Sequence, residues 1–252
     1  AVVLLGGTSV VRSDAGAVNF TSGFSDAGDT ANNAINLNGN INAGTNVTLN
    51  AANGGGATQT VGTTITAAGL ELLGTGDFSL TTTTNDVNTI AANTVGAISF
   101  RDVDDLTVGT VNATVGITTG GNNALMQSGA GQMLLKQNVN AGLGDVRLIS
   151  GADISQTGGV ITASSLGARA VTGISLTSLN AVGTFAANNS AAGKIAFRDV
   201  DGFIVDAVGA QTIDNITFAA TTGVTTRGLA GDDILMQSGA GQMLLKQNVN
   251  AG

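Results

Sequence analysis

The chain has 252 residues, of which 38 are Gly and eight are Phe, and it has no Pro, Cys, His, Trp or Tyr. Without Cys there are no disulfides, thiolate metal sites or Cys nucleophiles, and without His the commonest general base is missing. A net charge of -8, from 9 Lys and Arg against 17 Asp and Glu, offers no basic stripe to a phosphate backbone and no Tyr or Trp on which bases could stack, so nucleic acid is not an expected partner.

Only 10% of residues are charged, against about 25% in typical domains, so Asn, Thr, Ser and Gly must cover most of the surface. The apolar share of 42% is that of a globular chain and argues against disorder. The opening AVVLLGG lacks an initiator Met, a basic region and a full-length apolar core. It is therefore not an intact signal peptide, and the chain is expected to be a processed product or a piece of something longer. No run of 18 apolar residues occurs, so no membrane span is expected.

Repeats govern the rest of the chain. NINAG begins at Asn40 and NVNAG at Asn138 and Asn248, at intervals of 98 and 110 residues. TIAAN (89–93) and ISFRDVDDLTV (98–108) return as TFAAN (184–188) and IAFRDVDGFIV (195–205). LMQSGAGQMLLKQNVNAG, residues 125–142, recurs unchanged at 235–252. The chain divides into leading coils over 1–39, a first long repeat over 40–142 and a second over 143–252. The second is longer through an insertion near AQTIDNITFAA, residues 210–220. Such an insertion suits an array of stackable units better than one closed globule.

Within each repeat the local period is two. Strands are expected at FSL (78–80), AISFRDV, LTV (106–108), QMLLKQNV (132–139), DVRLIS, VITAS (160–164), ISLTSL (174–179), KIAF (194–197) and NITF (215–218). Ile98, Phe100 and Asp102 share one face, with Ser99 and Arg101 on the other. Met133, Leu135 and Val139 face inward while Leu134, Lys136 and Asn138 face outward, and Met243, Leu245 and Val249 repeat the arrangement. Phe197 is expected inward with Phe100. Gly and Asn between the runs supply tight corners, and no capped amphipathic helix is found.

A sandwich, a propeller and a solenoid remain open. The shortage of aromatics favours a narrow parallel β-helix over the wide cores of the other two. Three strands of about five residues with short corners give about 20 residues per coil. At about 4.8 Å per coil the chain predicts 12 or 13 coils and a rod roughly 60 Å long. The 98-residue interval then lies close to five coils, with equivalent residues in equivalent places.

The alternation of VNAG, ISQTGGVITASSL, ISLTSLNAVGTFAAN and FRDVDG resembles the repetitive shaft of filamentous-haemagglutinin-like exoproteins, the surface adhesins exported by two-partner secretion. The likeness covers residues 40–252 and, more loosely, 1–39. It implies a right-handed parallel β-helix and the role of an extracellular fibre or adhesin stalk outside the outer membrane of a Gram-negative bacterium. It also implies partners that are further repeats or copies end to end, and cell-surface or matrix glycans. The family's amino-terminal secretion domain is not found here.

Several residues admit a site reading beside a structural one. Asp102, Asp104, Asp105, Asp199 and Asp201 could offer oxygens to Ca²⁺, or bond the local backbone at turns. Asp233 lies in GLAGDDILM (228–236), which is similar to the calcium-binding nonapeptide with a substitution at its second position. Its counterpart TGGNNALM (119–126) has no Asp. Thr runs such as TTTT (81–84) resemble the Thr ranks of ice-binding solenoids, but their spacing is irregular, and strand propensity explains them. Asn42, Asn140 and Asn250 suit left-handed corners or an inward amide ladder. Asn46, Asn112 and Asn215 match the N-glycosylation pattern. No catalytic residue and no cofactor is expected. The functional expectation is a structural repeat segment, and a carbohydrate-active β-helix enzyme or a glycan- or ice-binding module is the alternative.

Overall fold

The structure, a computed structural model, describes residues 3–4, 9–22, 33–52, 54–213 and 216–251. Among them every regular element is a strand and none is a helix. The strands stack in parallel as a β-solenoid of about 10 turns, roughly 22 residues per turn.

Three columns of inward side chains build the core. The first runs Ile35, Ala57, Phe78, Ile98, Ala124, Val146, Leu166, Phe185, each the register partner of the next. Leu106, Met133, Ile154, Ile174, Ile195 and Ile234 form the second. Phe20, Leu49, Leu72, Ala92, Ile117, Val139 and Ile161 make the third. The alternation of inward and outward residues puts one apolar side chain of each strand on the axis, where its neighbours above and below exclude water. Phe100, Met133, Leu135 and Val139 are fully buried and Phe197 is 1% exposed, as the period of two predicts. Phe185, Phe197 and Phe203 pack together, two rings stacked at 3.9 Å and the third edge-on at 5.0 and 6.1 Å. Such ring pairs contribute about 0.5–1.5 kcal/mol beyond area burial.

The turn count differs from the expected 12 or 13. Successive partners in the first column lie 19 to 26 residues apart, and two inserts remove residues from the stack. The first is an antiparallel hairpin, Thr110–Val111 with Thr114–Val115. It leaves the coil between Leu106–Val108 and Ile117–Thr118. The second lies between Phe203–Val205 and Val224–Thr225 and pairs Ala207–Val208 with Thr221–Thr222 and Gln211–Ile213 with Ile216–Phe218. It occupies the site of the expected insertion and is the longer counterpart of the hairpin.

The phase of the repeat is also corrected. Ile98 lies in the first column, but its counterpart Ile195 lies in the second, four turns above Leu106. Leu125 pairs with Ser99 and Arg147, whereas Leu235 is reached from Leu134 through Ser155, Ser175 and Ala196. One long repeat therefore advances four turns plus one face of three. Identical segments sit on different sides of the rod, so the expected equivalence of place at five coils does not hold. The cause is arithmetic: the repeat length is not a whole number of turns once the inserts are taken out.

Met243 is half-buried, and Leu245 and Val249 are 55% and 37% exposed. Their first-repeat equivalents are closed over by the turn at 145–162. Met243, Leu245 and Val249 nevertheless stack in register on the inward Phe203, Val205 and Val224, the inward arrangement expected, and among the described residues no turn lies above them. The apolar residues at the opening, in AVVLLGG, fall largely outside the described residues, apart from the strand Val3–Leu4.

Candidate functional site

The most organised polar chemistry is inside two corners of the solenoid, one in each long repeat, where three successive turns carry Gln, Asn and Asp. In the first repeat these are Gln59, Asn85 and Asp102; in the second, Gln156, Asn180 and Asp199. Asn180 is fully buried. Its Oδ1 accepts from Gln156 Nε2 and from the Ile161 N–H, both at 2.9 Å. Its Nδ2 donates to Gln156 Oε1 at 3.3 Å and to the carbonyls of Leu176 and Arg198, each at 3.1 Å. Asn85 repeats this: Oδ1 accepts from Gln59 Nε2 at 2.7 Å and the Ile65 N–H at 3.0 Å, and Nδ2 donates to Gln59 Oε1 and to the Leu80 and Arg101 carbonyls. A chain bending between strands leaves peptide groups without ladder partners, and one amide per turn satisfies them from within.

The Asp residues complete the corner. Asp102 is 2% exposed. Its Oδ2 accepts the Val87 N–H of the turn below at 2.9 Å and its Oδ1 the Asp104 N–H at 3.2 Å. Asp199 does the same with Val182 and Asp201, both at 2.9 Å. Burial raises the Asp102 carboxyl to about 7 against the pull of those backbone donors. Burial likewise raises Asp199.

The structure spreads the other Ca²⁺ candidates apart. Asp104 and Asp201 are exposed and enter the corner through their backbone N–H groups. Asp105 Oδ1 accepts the Gln132 N–H at 2.6 Å. Asp233 is exposed and pairs with Lys194 at 2.9 Å, while its neighbour Asp232 caps Gly193 and Leu229 through their N–H groups at 2.6 and 2.9 Å. Among the described residues no three metal-ligating side chains gather. Both predicted readings of Asn42 and Asn140 give way: they lie in extended strands and point outward. Asn140 Oδ1 accepts the Gly142 N–H at 3.1 Å, and Asn250 is exposed in the strand Val249–Asn250. Asn85, Asn180 and Asn189 are instead buried amides, the last donating to the Ala191 and Gly193 carbonyls. Of the glycosylation-pattern residues, Asn46 donates to Asn112 Oδ1 at 2.8 Å, Asn112 holds the hairpin turn at φ 52, and Asn215 falls outside the described residues.

The inserts form a second organised feature, because each folds back over the outer wall. Glu71, the one Glu in the chain, anchors the hairpin: Oε1 accepts from Thr114 Oγ1 at 2.7 Å, and Oε2 from Asn112 Nδ2 at 2.7 Å and Thr48 Oγ1 at 2.8 Å. Burial pushes this carboxyl up, but the three donors outweigh it and hold the carboxyl below its usual range. Arg147 anchors the second insert, with Nε and Nη2 on the Gly209 carbonyl at 3.1 and 2.7 Å and Nη1 on Gln211 Oε1 at 3.0 Å. Beneath each insert is a glycine. A Cβ on Gly69 would approach Val111 to 2.9 Å, and one on Gly167 would approach Val208 to 3.2 Å. The outward alanines of TIAAN and TFAAN, Ala91 and Ala186, are fully buried for the same reason. No helix among the described residues is long and apolar enough to cross a membrane.

Comparison with protein-family models, curated proteins and solved structures gives no match. The sequence signal that points to the corners is the order of three residues: in both repeats a Gln and an Asp end strands one turn either side of an Asn that stands before Asp-Val or Ala-Val.

Proposed function

We propose that this chain is a structural repeat segment of a secreted or cell-surface fibre, in the manner of an adhesin shaft, which works by stacking turn on turn. One observation carries the reading. Three core columns run from turn to turn, each inward residue the register partner of the next, so each turn of the stack is buried by its neighbours. A coil cannot bury its own edges and depends on the turns above and below it. In such an array one further turn, or another copy met head to tail, extends the same columns, and a contact whose rotation does not close builds an open fibre. The natural partners in this reading are further repeats or further copies, with cell-surface or matrix glycans met along the shaft.

Sedimentation velocity tests the proposal. The chain is expected to form concentration-dependent linear oligomers, and a variant carrying a polar helical cap after residue 252 to remain monomeric. An uncapped chain that stays monomeric at high concentration would overturn it. Degradation of a polysaccharide by the purified chain would instead favour a β-helix enzyme, and inhibition of ice growth a flat-face binding module.

A further inference from the structure

We propose that the corner beside Arg101 is a binding site for a small monocarboxylate, present in the first long repeat and absent from the second. A cleft of about 280 Å³ opens there, lined by Gln59, Val61, Gly62, the four threonines 81–84 and Arg101. Its size is at the low end for ligand pockets, suited to a molecule of a few carbons.

The two repeats supply an internal comparison. From Gln59 to Ile65 is one residue longer than from Gln156 to Ile161, and from Leu80 to Asn85 one longer than from Leu176 to Asn180. The ends of both stretches are fixed by the same bonds to Asn85 and Asn180. The extra residues therefore bulge outward at the same corner of two stacked turns. In the lower turn the Thr63 N–H bonds the Thr60 carbonyl at 3.1 Å. Gly62 sits there at φ +88 with Val61 88% exposed, which is a turn that requires Gly at its third position. The upper bulge places Thr84 Oγ1 3.0 Å from Thr64 Oγ1.

The consequence falls on Arg101. Its counterpart Arg198 occupies the same FRDVD motif, stacks likewise under a Gln (Gln127 over Arg101, Gln237 over Arg198) and is exposed. Arg101 is half-buried, and its Nε is buried with no hydrogen-bond partner. Among the described residues it makes no ion pair, and no acidic side chain lines the cleft. Burial also lowers its pKa. A guanidinium partly stripped of water and given no counter-charge is a deficit that an anion offsets. Carboxylate fits better than a dianion for two reasons. The planar fork of Arg matches its two oxygens, and a chain of net charge -8 repels multiply charged anions at long range. Thr hydroxyls and methyls with the Val61 side chain suit a short, partly apolar body behind the charged head.

The test is an amide-resolved NMR titration of the whole chain with butyrate, butyramide and sulfate. Butyrate is expected to shift the amides of residues 59–62 and 81–84 with a Kd on the order of 1 mM, with butyramide and sulfate at least about tenfold weaker. Arg101→Gln should weaken butyrate by about tenfold or more and Arg198→Gln should leave it unchanged. Val61→Glu, which leaves Arg101 in place but sets a carboxylate at the lip, should also abolish it. Amides around Asn85 report whether the variants fold. The proposal is overturned if butyrate causes no shift, if butyramide or sulfate binds as tightly, or if loss of Arg198 acts as strongly as loss of Arg101.

Discussion

Replacing Asn180 with Ala removes five hydrogen bonds from a site with no access to solvent. The Ile161 N–H loses its acceptor, the carbonyls of Leu176 and Arg198 lose a donor, and Gln156 loses both bonds of its amide to Asn180. Each buried group left unpaired costs about 1–3 kcal/mol, and water entering the small space left behind recovers part of that. The expected loss is about 3–5 kcal/mol, similar to truncating a core Phe. Because a solenoid transmits stability mainly to adjacent turns, the loss should be local. Hydrogen exchange should quicken in residues 153–199 and stay unchanged in residues 40–80, with urea unfolding giving the total. A change under about 1 kcal/mol, or protection lost equally along the chain, would show that the corner amide is not what holds these turns in register.

Three further outcomes are expected. The Asp102 carboxyl, raised to about 7 from an unfolded value of about 3.9, gives the native state an extra proton between those limits. Stability is therefore fullest below about pH 4 and declines as pH rises to about 7; Asp102→Asn should flatten the decline in urea titrations, and an unchanged slope would contradict it. Glu71 acts in the opposite sense, since its lowered pKa means that its contribution is present above the unfolded pKa and lost as pH falls through the folded one. Glu71→Ala should free the hairpin, seen as faster exchange at Thr110–Val115 with the core strands unaffected. Phe100→Ala and Phe197→Ala should each destabilise by about 3–5 kcal/mol, the second more because it also breaks the three-ring cluster; equal stability in either variant would mean that the inward register is wrong.

The fold was legible because its signal is local. A period of two around Phe100, Met133 and Val146, Gly and Asn at the corners and the lack of any helical face are enough to require short stacked strands. Even the inward place of Asp102 follows from counting two from Phe100. The corner amides were hidden for a different reason: Asn85 ends a run of threonines and Asn180 follows Ser-Leu, and an isolated Asn beside a turn reads as a surface residue. Only its stacking between Gln59 and Asp102, 26 residues before it and 17 after, makes it internal. The rotation of the repeat was hidden too, because sequence shows where a motif returns but not how many turns lie between. Ala91 and Ala186 look like ordinary small strand residues until an insert is seen to cover them. The Asp residues that admitted a calcium reading beside a turn reading accept backbone N–H groups at Asp102, Asp105 and Asp199, the role that Asp at turns commonly has.

The stacking role is tested most directly by cryo-electron microscopy of the assembled chain at high concentration. Filaments with an axial spacing of about 4.8 Å, continuing unbroken from the turn of residues 234–250 into the first turn of the next copy, are the expected result. Isolated short rods whose ends never meet, at any concentration and with no spacing carried from one copy to the next, would contradict it.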